Sequence, residues 1–366
     1  MDLMYYYPVG MGGPNAVATG VLKCLLKREK ELPFERIKLF VPTRDLEGVQ
    51  EQFDDIEIIT FKNINGISKN CLIHIPMGPL IFPNNKFLLH LFTIFKRRKL
   101  ILQEHGDLRT EMQIKWKYEH HLNMFYIPTY ILYPYLLKSA DKLIVHSYRM
   151  SNLVRSKYGV KSDVVIPNAI DDFWFVECNK TNSELEGEPT LLYHGRLSPE
   201  KGVALLIKGF AKVIVKNSKA KLYISGEGPQ RKQLEKLCFE LGIHKNVIFL
   251  GYIDLDQLKS YLSSVDAAIY PPIYEPFSLA ILEALSSVNG PVYYSSFAGI
   301  HDFIIRGGYN LNAFEPTINN IAKIIGDIID RKYDIQVVKQ QKKFARQFTF
   351  DKIINQYIEI YKDVAL

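Results

Sequence analysis

The alternation of apolar runs and helical segments constrains the fold of this chain more than any other feature of its sequence. From Thr190 onward, short apolar runs predict strands at TLLYHGR, AKLYISGEGP, NVIFLGY, DAAIYPP and VYYS, and helical segments follow the first four. Similar runs recur in the first half at LMYYYPV, IKLFVP, CLIHIP, KLILQEHG and DKLIVHS. Strands that alternate with helices predict parallel, doubly wound α/β sheets.

The chain has 366 residues, which is too long for one ordinary core and predicts two domains. The irregular, polar segment ECNKTNSELEGEP has the composition of a linker. We expect an N-terminal Rossmann-like domain over residues 1–178, a linker over 179–188 and a C-terminal Rossmann-like domain over 189–345. A last segment, 346–366, is expected to form a helix that packs back on the N-terminal domain. Its apolar face is formed by Ile353, Ile354, Tyr357, Ile360 and Tyr361.

Composition and cysteine spacing argue against a zinc protein, a disulfide-stabilised protein and a membrane-spanning protein. The chain is 47% hydrophobic and 23% charged, and its net charge of +7 permits an anionic ligand without requiring nucleic acid. The four cysteines form no C-x-x-C pair, so neither a zinc site nor a disulfide framework is predicted. No signal peptide or membrane-spanning stretch is expected. We therefore expect a cytoplasmic protein, or one bound peripherally to the inner face of a membrane.

The segment YEPFSLAILEA contains two glutamates at a suggestive spacing. If a helix begins at Pro276, Glu283 lies about 80° around and about 12 Å along from Glu275. The N–H groups of Phe277, Ser278 and Leu279 would then favour a phosphate between the two carboxylates. This arrangement suits a sugar nucleotide, but an ordinary amphipathic helix with two solvated glutamates explains the pattern equally well.

Two features of the first half follow the carboxyl ends of predicted strands, where a ligand could bind. Gly10, Gly12 and Gly13 follow the first strand and either let a ligand approach the backbone or form a plain tight turn. His105 follows a later strand and precedes Gly106, so it either faces a cleft or is structural.

Residues 86–138 combine basic and aromatic side chains. Nine basic and four acidic residues leave a net charge of +5 in this segment. One interpretation is a surface that binds an anionic membrane. The other is that KFLLHLF and YILYPYLL are core helix faces and KRRK a solvated turn.

A family resemblance adds to these predictions. The segments GRLSPEKGVALLIKGF, LYISGEGP, SVDAAIYPPIYEPFSLAILEA and NGPVYYSSFAGIHDFI resemble, in order and spacing, glycosyltransferase family 4, a group 1 family of retaining enzymes. GMGGP, QEHGD and VVIPNAID match more weakly. The resemblance implies the GT-B fold, in which two Rossmann-like domains face each other and the C-terminal domain holds most of the donor nucleotide.

The resemblance also implies roles for individual residues. His105, Lys201 and Glu275 are implied to be catalytic, with Glu275 near the hydroxyls of the transferred sugar and Glu283 at the nucleotide ribose. The implied donor-binding residues are Gly12, Gly13, Arg196, Lys201, Gly226, Phe277, Ser278, Leu279 and Glu283. A guanidinium and an ammonium could together neutralise a diphosphate. EPFS departs from the E-G-F-G of many members, since Pro276 lacks an N–H and Ser278 replaces a glycine.

The implied reaction is transfer of a sugar, with retention, from a UDP-, GDP- or ADP-sugar to a hydroxyl acceptor. The basic, aromatic segment 86–138 favours an acceptor that is lipid-linked or lies at a membrane surface over a small soluble one. No cofactor and no metal are expected. Asp254 and Asp256 spell D-x-D, but they open a predicted helix, where one of them would be an N-cap. The alternatives are a sugar-nucleotide epimerase and an inactive, membrane-associated scaffold of the same fold.

Overall fold

The computed structural model describes residues 1–10, 12–42, 46–76, 78, 84–119, 124, 126–177, 185–214 and 218–366. These residues form two compact units. The first unit contains residues 1–169 and 349–366, and the second contains residues 170–348.

The first unit is built on a seven-stranded sheet in the order β3-β2-β1-β4-β5-β6-β7, and all of its strand pairs are parallel. The elements before the last helix are β1 (Asp2–Tyr6), α1 (Gly13–Lys27), β2 (Ile37–Phe40), α2 (Leu46–Gln52), β3 (Ile58–Ile59), β4 (Cys71–Ile75), α3 (Asn85–Phe95), β5 (Lys99–Glu104), α4 (Leu108–Glu119), α5 (Tyr126–Lys138), β6 (Lys142–Val145), α6 (Tyr148–Tyr158) and β7 (Val164–Val165).

The second unit contains a six-stranded parallel sheet in the order β10-β9-β8-β11-β12-β13. Its elements are β8 (Thr190–His194), α7 (Val203–Ile214), β9 (Lys221–Ser225), α8 (Arg231–Glu240), β10 (Val247–Gly251), α9 (Leu255–Ser264), β11 (Ala267–Tyr270), α10 (Leu279–Ser287), β12 (Val292–Ser295), α11 (Ile300–Arg306), β13 (Ala313–Phe314), α12 (Ile318–Ile329) and α13 (Ile335–Ala345). The prediction of two parallel, doubly wound sheets is therefore confirmed. The short strand β13 was not predicted.

The last helix, α14 (Phe350–Ala365), belongs to the first unit. Its expected apolar face is buried, with Tyr357 and Tyr361 fully enclosed. The Tyr361 hydroxyl lies 2.6 Å from Nδ1 of His74, and the Tyr357 hydroxyl donates to Gln103 at 3.1 Å. These bonds join α14 to the ends of β4 and β5.

The unit boundary falls between Ala169 and Ile170, whereas the sequence places it at 178/179. Residues 170–177 go with the second unit because Trp174 is buried there and its carbonyl accepts a hydrogen bond from Ser287 of α10 at 3.2 Å. The expected linker, 179–188, lies partly outside the described residues.

Each sheet changes its winding direction at one point. In the second sheet, the chain runs outward through β9 and β10 and then returns to place β11 on the other side of β8. The carboxyl ends of β8 and β11 therefore meet at a topological switch point, where ligands of open α/β sheets bind. In the first sheet, β1 and β4 meet in the same way.

Two smaller expectations can be compared with the structure. Asp254 is the N-cap of α9 and accepts a hydrogen bond from the Gln257 N–H at 2.7 Å, as the D-x-D analysis predicted. Cys24, Cys71 and Cys238 are buried and form no disulfide among the described residues, and Cys178 lies outside those residues. Within the described ranges, no helix has both the length and the apolar character needed to cross a bilayer.

Candidate active site

The loop after β8 presents a cation at the switch point of the second sheet. Gly195 follows the strand with φ of 139°, a conformation that favours glycine. Arg196 comes next and is exposed, and its guanidinium makes no hydrogen bond or ion pair with the described residues. The Arg196 side chain is therefore available to an anionic ligand.

Gly226, the first glycine of SGEGP, is required because two backbone turns contact each other at this position. Gly226 has φ of 128°, and a Cβ atom there would lie 2.0 Å from the carbonyl oxygen of Gly195. The turns after β8 and β9 therefore pack directly on each other. This packing explains the glycine without a ligand, and the predicted role of Gly226 at the nucleotide stays a prediction.

Lys201 and Glu275 form an ion pair. Nζ of Lys201 lies 2.5 Å from Oε2 of Glu275, and the two side chains are 25% and 12% exposed. The backbone brings them together because the Ile273 N–H donates to the carbonyl of Glu200 at 2.9 Å. The Glu275 carbonyl in turn accepts from the Gly299 N–H at 2.9 Å. The structure thus joins two residues that the sequence separates by 74 positions.

The helix predicted to begin at Pro276 begins instead at Leu279, so the angle and distance derived for Glu275 and Glu283 are wrong. Ser278 is the N-cap, and its Oγ accepts from the Ile281 N–H at 3.3 Å. Ser278 has φ of 93°, which a helical residue cannot adopt. Residues 275–278 are therefore a non-helical, bent segment that leads into α10.

Because α10 begins later than predicted, the N–H groups that could bind an anion also lie later in the sequence than predicted. In the part of the chain that the structure describes, the N–H groups of Ser278, Leu279 and Ala280 donate to no protein acceptor. Unpaired N–H groups at a helix start favour an anion. Ser278 and Leu279 can still serve as predicted, whereas Phe277 is buried with its ring against Phe303 and Phe348.

Glu283 projects from α10 toward the end of β8. Its Oε2 lies 2.9 Å from Nε2 of His194, whose Nδ1 lies 2.6 Å from the hydroxyl of Tyr270. His194 ends β8 and Tyr270 ends β11, so all three residues meet at the switch point. Burial, followed by the charge of Glu283, raises the pKa of Tyr270 well above its usual value, so the phenol stays protonated.

In the first unit, the glycine turn follows β1 as predicted. Gly10 and Gly12 have φ of 119° and 127°, and Gly12 is the N-cap of α1, which begins at Gly13. The intervening Met11 lies outside the described residues.

His105 is half-buried after β5, and its Nε2 lies 3.0 Å from the carbonyl oxygen of Pro76. The same Nε2 lies 3.1 Å from the amide nitrogen of Gln103, which only donates, whereas the carbonyl only accepts, so the two neighbours favour opposite tautomers of the ring. Burial and the neighbouring His146, whose ring centroid is 4.1 Å away, hold the pKa of His105 well below its usual value. His105 is therefore a neutral imidazole at pH 7.

Buried polar groups surround His105. Glu104 is fully buried, its Oε1 has no hydrogen-bond partner among the described residues, and burial raises its pKa well above the usual value. Asp107 is also fully buried, but it is well satisfied, accepting from Lys157 at 2.8 Å and from Tyr158 at 2.5 Å. Asp107 therefore anchors the start of α4.

Residues 86–138 contribute to the core and also expose apolar surface. Phe87, Leu136 and Leu137 are buried, as the core interpretation predicts. The opposite face of α5 exposes Ile127, Ile131 and Tyr135, which share one stripe because they are four residues apart. A cavity of about 320 Å³ adjoins this stripe and is lined by Met112, Gln113, Trp116, Ile127 and Tyr130.

The structure brings together, at the second sheet, Arg196, Lys201, Gly226, Glu275, Ser278, Leu279 and Glu283. Gly12, Gly13 and His105 lie in the first unit. His194 and Tyr270 were not predicted as site residues, although His194, like His105, lies between a predicted strand and a glycine. Among the described residues, no group of three or more histidine, cysteine, aspartate or glutamate side chains could hold a metal ion.

Comparisons with known proteins bear on both units. Residues 177–348 match the model of the family described as Glycosyl transferases group 1. An uncharacterised glycosyltransferase of Methanocaldococcus jannaschii is 32% identical over 48% of this chain and 45% of its own length. The O-antigen chain mannosyltransferase RfbU of Salmonella typhimurium is 26% identical over 72% of this chain and 78% of its own length.

Among solved structures, Anabaena HepE in complex with UDP and glucose superposes with a TM-score of 0.73 at 19% identity, covering 99% of this chain and all of that one. This similarity confirms the GT-B fold. The chain spans about half the length of the curated relatives that it matches first.

Proposed function

We propose that the chain is a retaining glycosyltransferase that moves a sugar from a nucleoside diphosphate sugar to a hydroxyl acceptor, because residues 177–348 match the family model described as Glycosyl transferases group 1. The observation that carries the proposal is the group of charged residues at the switch point of the second sheet. Arg196, Lys201, Glu275 and Glu283 all lie within the family match.

The two cations suit a leaving diphosphate. Arg196 is exposed and without a partner among the described residues, and Lys201 is held on the same loop by Glu275. As the bond to the sugar breaks, negative charge builds on the diphosphate, and preorganised cations and N–H groups stabilise it. Ser278 and Leu279 supply such N–H groups. These groups provide positive charge at the diphosphate, and the proposed reaction uses neither a metal nor a cofactor.

Retention is proposed to occur by front-face displacement. The leaving phosphate accepts the proton of the acceptor hydroxyl while the new bond forms on the same face of the sugar. Glu275 would accept hydrogen bonds from the sugar hydroxyls through the oxygen that is not paired with Lys201. The predicted roles of Gly12, Gly13 and His105 stay predictions.

The relatives favour a nucleotide sugar donor but leave its base open. HepE is seen with UDP and glucose, and RfbU is named a mannosyltransferase. UDP-, GDP- and ADP-sugars are therefore the donors to test. Mass action raises the melting temperature in the presence of a ligand that binds the folded protein. We expect one nucleoside diphosphate to raise it, and Arg196→Ala to abolish the shift.

Transfer itself is tested by incubating the protein with the donor that binds. A glycosyltransferase releases the nucleoside diphosphate only with an acceptor, apart from slow hydrolysis, and the anomeric configuration of the product is read by NMR. An epimerase would convert the donor sugar with no acceptor present. An inactive scaffold would bind no donor, and the intact charged group at the switch point argues against it.

The acceptor is proposed to be lipid-linked or to lie at a membrane surface. The apolar cavity beside Trp116 and the exposed stripe of α5 support this, because basic side chains flank them. Nζ of Lys115 lies 5.5 Å from the ring centroid of Tyr126, and Lys117 is exposed. Apolar side chains with neighbouring cations bind anionic bilayers.

Co-sedimentation with anionic liposomes at low and high salt tests the membrane proposal. Tyr135→Ser should weaken binding, whereas Tyr252→Ser in the second unit is a matched control, since the two tyrosines are 72% and 66% exposed. Equal losses in both variants, or no binding by the parent protein, would refute it.

A further inference from the structure

Glu283 is held by a chain of two buried side chains. The hydroxyl of Tyr270 lies 2.6 Å from Nδ1 of His194, and Nε2 of His194 lies 2.9 Å from Oε2 of Glu283. Tyr270 and His194 are 2% and 5% exposed, whereas the Glu283 side chain is 19% exposed. These three hydrogen-bonded side chains therefore connect the core of the second unit to the edge of its sheet where the strands have their carboxyl ends.

With a neutral imidazole, the hydrogen-bonding capacities of the three groups assign a position to each proton. A carboxylate only accepts hydrogen bonds, so Nε2 of His194 carries the proton that is donated to Glu283. Nδ1 then has a lone pair, and the Tyr270 hydroxyl donates to it. Tyr270 thereby selects the tautomer of His194, and His194 sets the orientation of the carboxylate. The other carboxylate oxygen, Oε1, makes no hydrogen bond with the described residues and is available to a ligand.

We propose that His194 and Tyr270 are positioning residues that orient Glu283 so that its carboxylate binds the ribose cis-diol of a nucleoside diphosphate. The inference rests on the proposed function, which places a nucleotide at this edge. Neither His194 nor Tyr270 touches the ligand. Both act by preventing the Glu283 side chain from rotating, so that the carboxylate meets the diol without a further loss of conformational entropy.

A different interpretation is that the His194–Tyr270 pair only satisfies two buried polar groups. Removing His194 would then lower stability but leave discrimination between ribose and deoxyribose unchanged. The two interpretations therefore differ in a ratio of two affinities, which a general loss of stability does not alter.

The test uses isothermal titration of the full chain with UDP, GDP and ADP, followed by the 2′-deoxy form of whichever binds. The parent protein is expected to bind the ribose form at least tenfold more tightly, because a hydrogen bond to a carboxylate is strong. His194→Leu should weaken binding of the ribose form about tenfold and leave the deoxy form unchanged, so that the ratio falls close to one.

Two variants keep the test decisive if His194→Leu does not fold. In His194→Gln, the side-chain amide can donate to Glu283 and accept from Tyr270, so most of the discrimination should return. Tyr270→Phe removes the group that selects the tautomer while conserving volume, and it should lower the ratio several-fold. The control is Tyr294→Phe, because Tyr294 is a buried tyrosine of the same sheet whose hydroxyl lies 3.3 Å from Nδ1 of a histidine, the half-buried His301 of α11.

The outcomes separate the inference from the function on which it rests. If the parent protein binds none of the three diphosphates, the proposed function fails, and the inference fails with it. If a diphosphate binds but the ribose-to-deoxyribose ratio is near one in the parent protein, or unchanged in His194→Leu or Tyr270→Phe, only the inference is overturned.

Discussion

The loop that carries Lys201 depends on one glycine, and substitution of that glycine tests how closely the loop packs. Gly202 has φ of 69°, and a Cβ atom there would lie 2.0 Å from the carbonyl oxygen of Pro271. The contact is between backbone atoms, so no side-chain rotation relieves it. In Gly202→Ala, either this loop or the segment after β11 must move.

The expected cost has two parts. An L-residue in the left-handed region costs about 1–2 kcal/mol, and forcing an extra carbon into a packed site costs about a further 1–3 kcal/mol. Gly202→Ala should therefore lower the free energy of unfolding by about 2–5 kcal/mol. Gly242 is a matched control, because it has the same φ of 69° but a Cβ atom there would meet nothing within 4 Å.

Denaturant unfolding of both variants gives the two costs, and their difference isolates the steric part. Gly202→Ala should also raise the donor KM, because Lys201 is the preceding residue, whereas Gly242→Ala should leave it unchanged. Equal losses of stability in the two variants, or a normal donor KM in Gly202→Ala, would show that the close approach to Pro271 does not position Lys201.

Three further outcomes are expected. Glu283→Ala should raise the donor KM at least tenfold and Lys201→Ala should nearly abolish turnover, so normal steady-state kinetics in both would remove the site assignment. Gly20→Ala places a carbon 2.1 Å from the ring of Phe350 on α14; it should destabilise the parent protein in urea but stabilise a Phe350→Ala background by about 1 kcal/mol through helix propensity, and an unchanged sign would contradict that packing. Burial lowers the pKa of His90 to about 4, so as pH falls below about 6.5 the unfolded chain binds a proton that the folded protein excludes, and the free energy of unfolding falls by about 1.4 kcal/mol per pH unit. His90→Gln should reduce the loss of stability between pH 7 and pH 5 by about 2 kcal/mol. An identical loss in this variant and the parent protein would count against the buried neutral histidine.

Several features could be predicted from the sequence because their signals are local. The apolar runs of β1 and β8 are bounded by glycines, and the spacing of Ile353, Tyr357 and Ile360 sets one face of α14. Each signal lies within one or two turns or one strand, where backbone geometry alone relates the residues. For the same reason, an N-cap could be predicted at Asp254 or Asp256, and the structure has it at Asp254.

The start of α10 was predicted incorrectly for a tertiary reason. Pro276 is favourable at a first helical position, but residues 275–277 are instead held outside the helix, because the Glu275 and Phe277 carbonyls accept from the Gly299 and Ile300 N–H groups at 2.9 and 3.0 Å. Gly299 precedes α11 and Ile300 is the first residue of α11. Helix propensity takes no account of contacts with such distant residues. Ser278 then adopts a positive φ and caps the helix.

The sequence by itself determined the class of fold, the family match of the second half and most of the residues at its switch point. These depend on the periodicity of apolar positions and on short motifs, both of which are legible in one dimension. Only the tertiary structure decided which charges meet, namely Lys201 with Glu275 and His194 with Glu283. Those contacts join residues 74 and 89 positions apart, and they form because parallel strands bring their carboxyl ends to one edge.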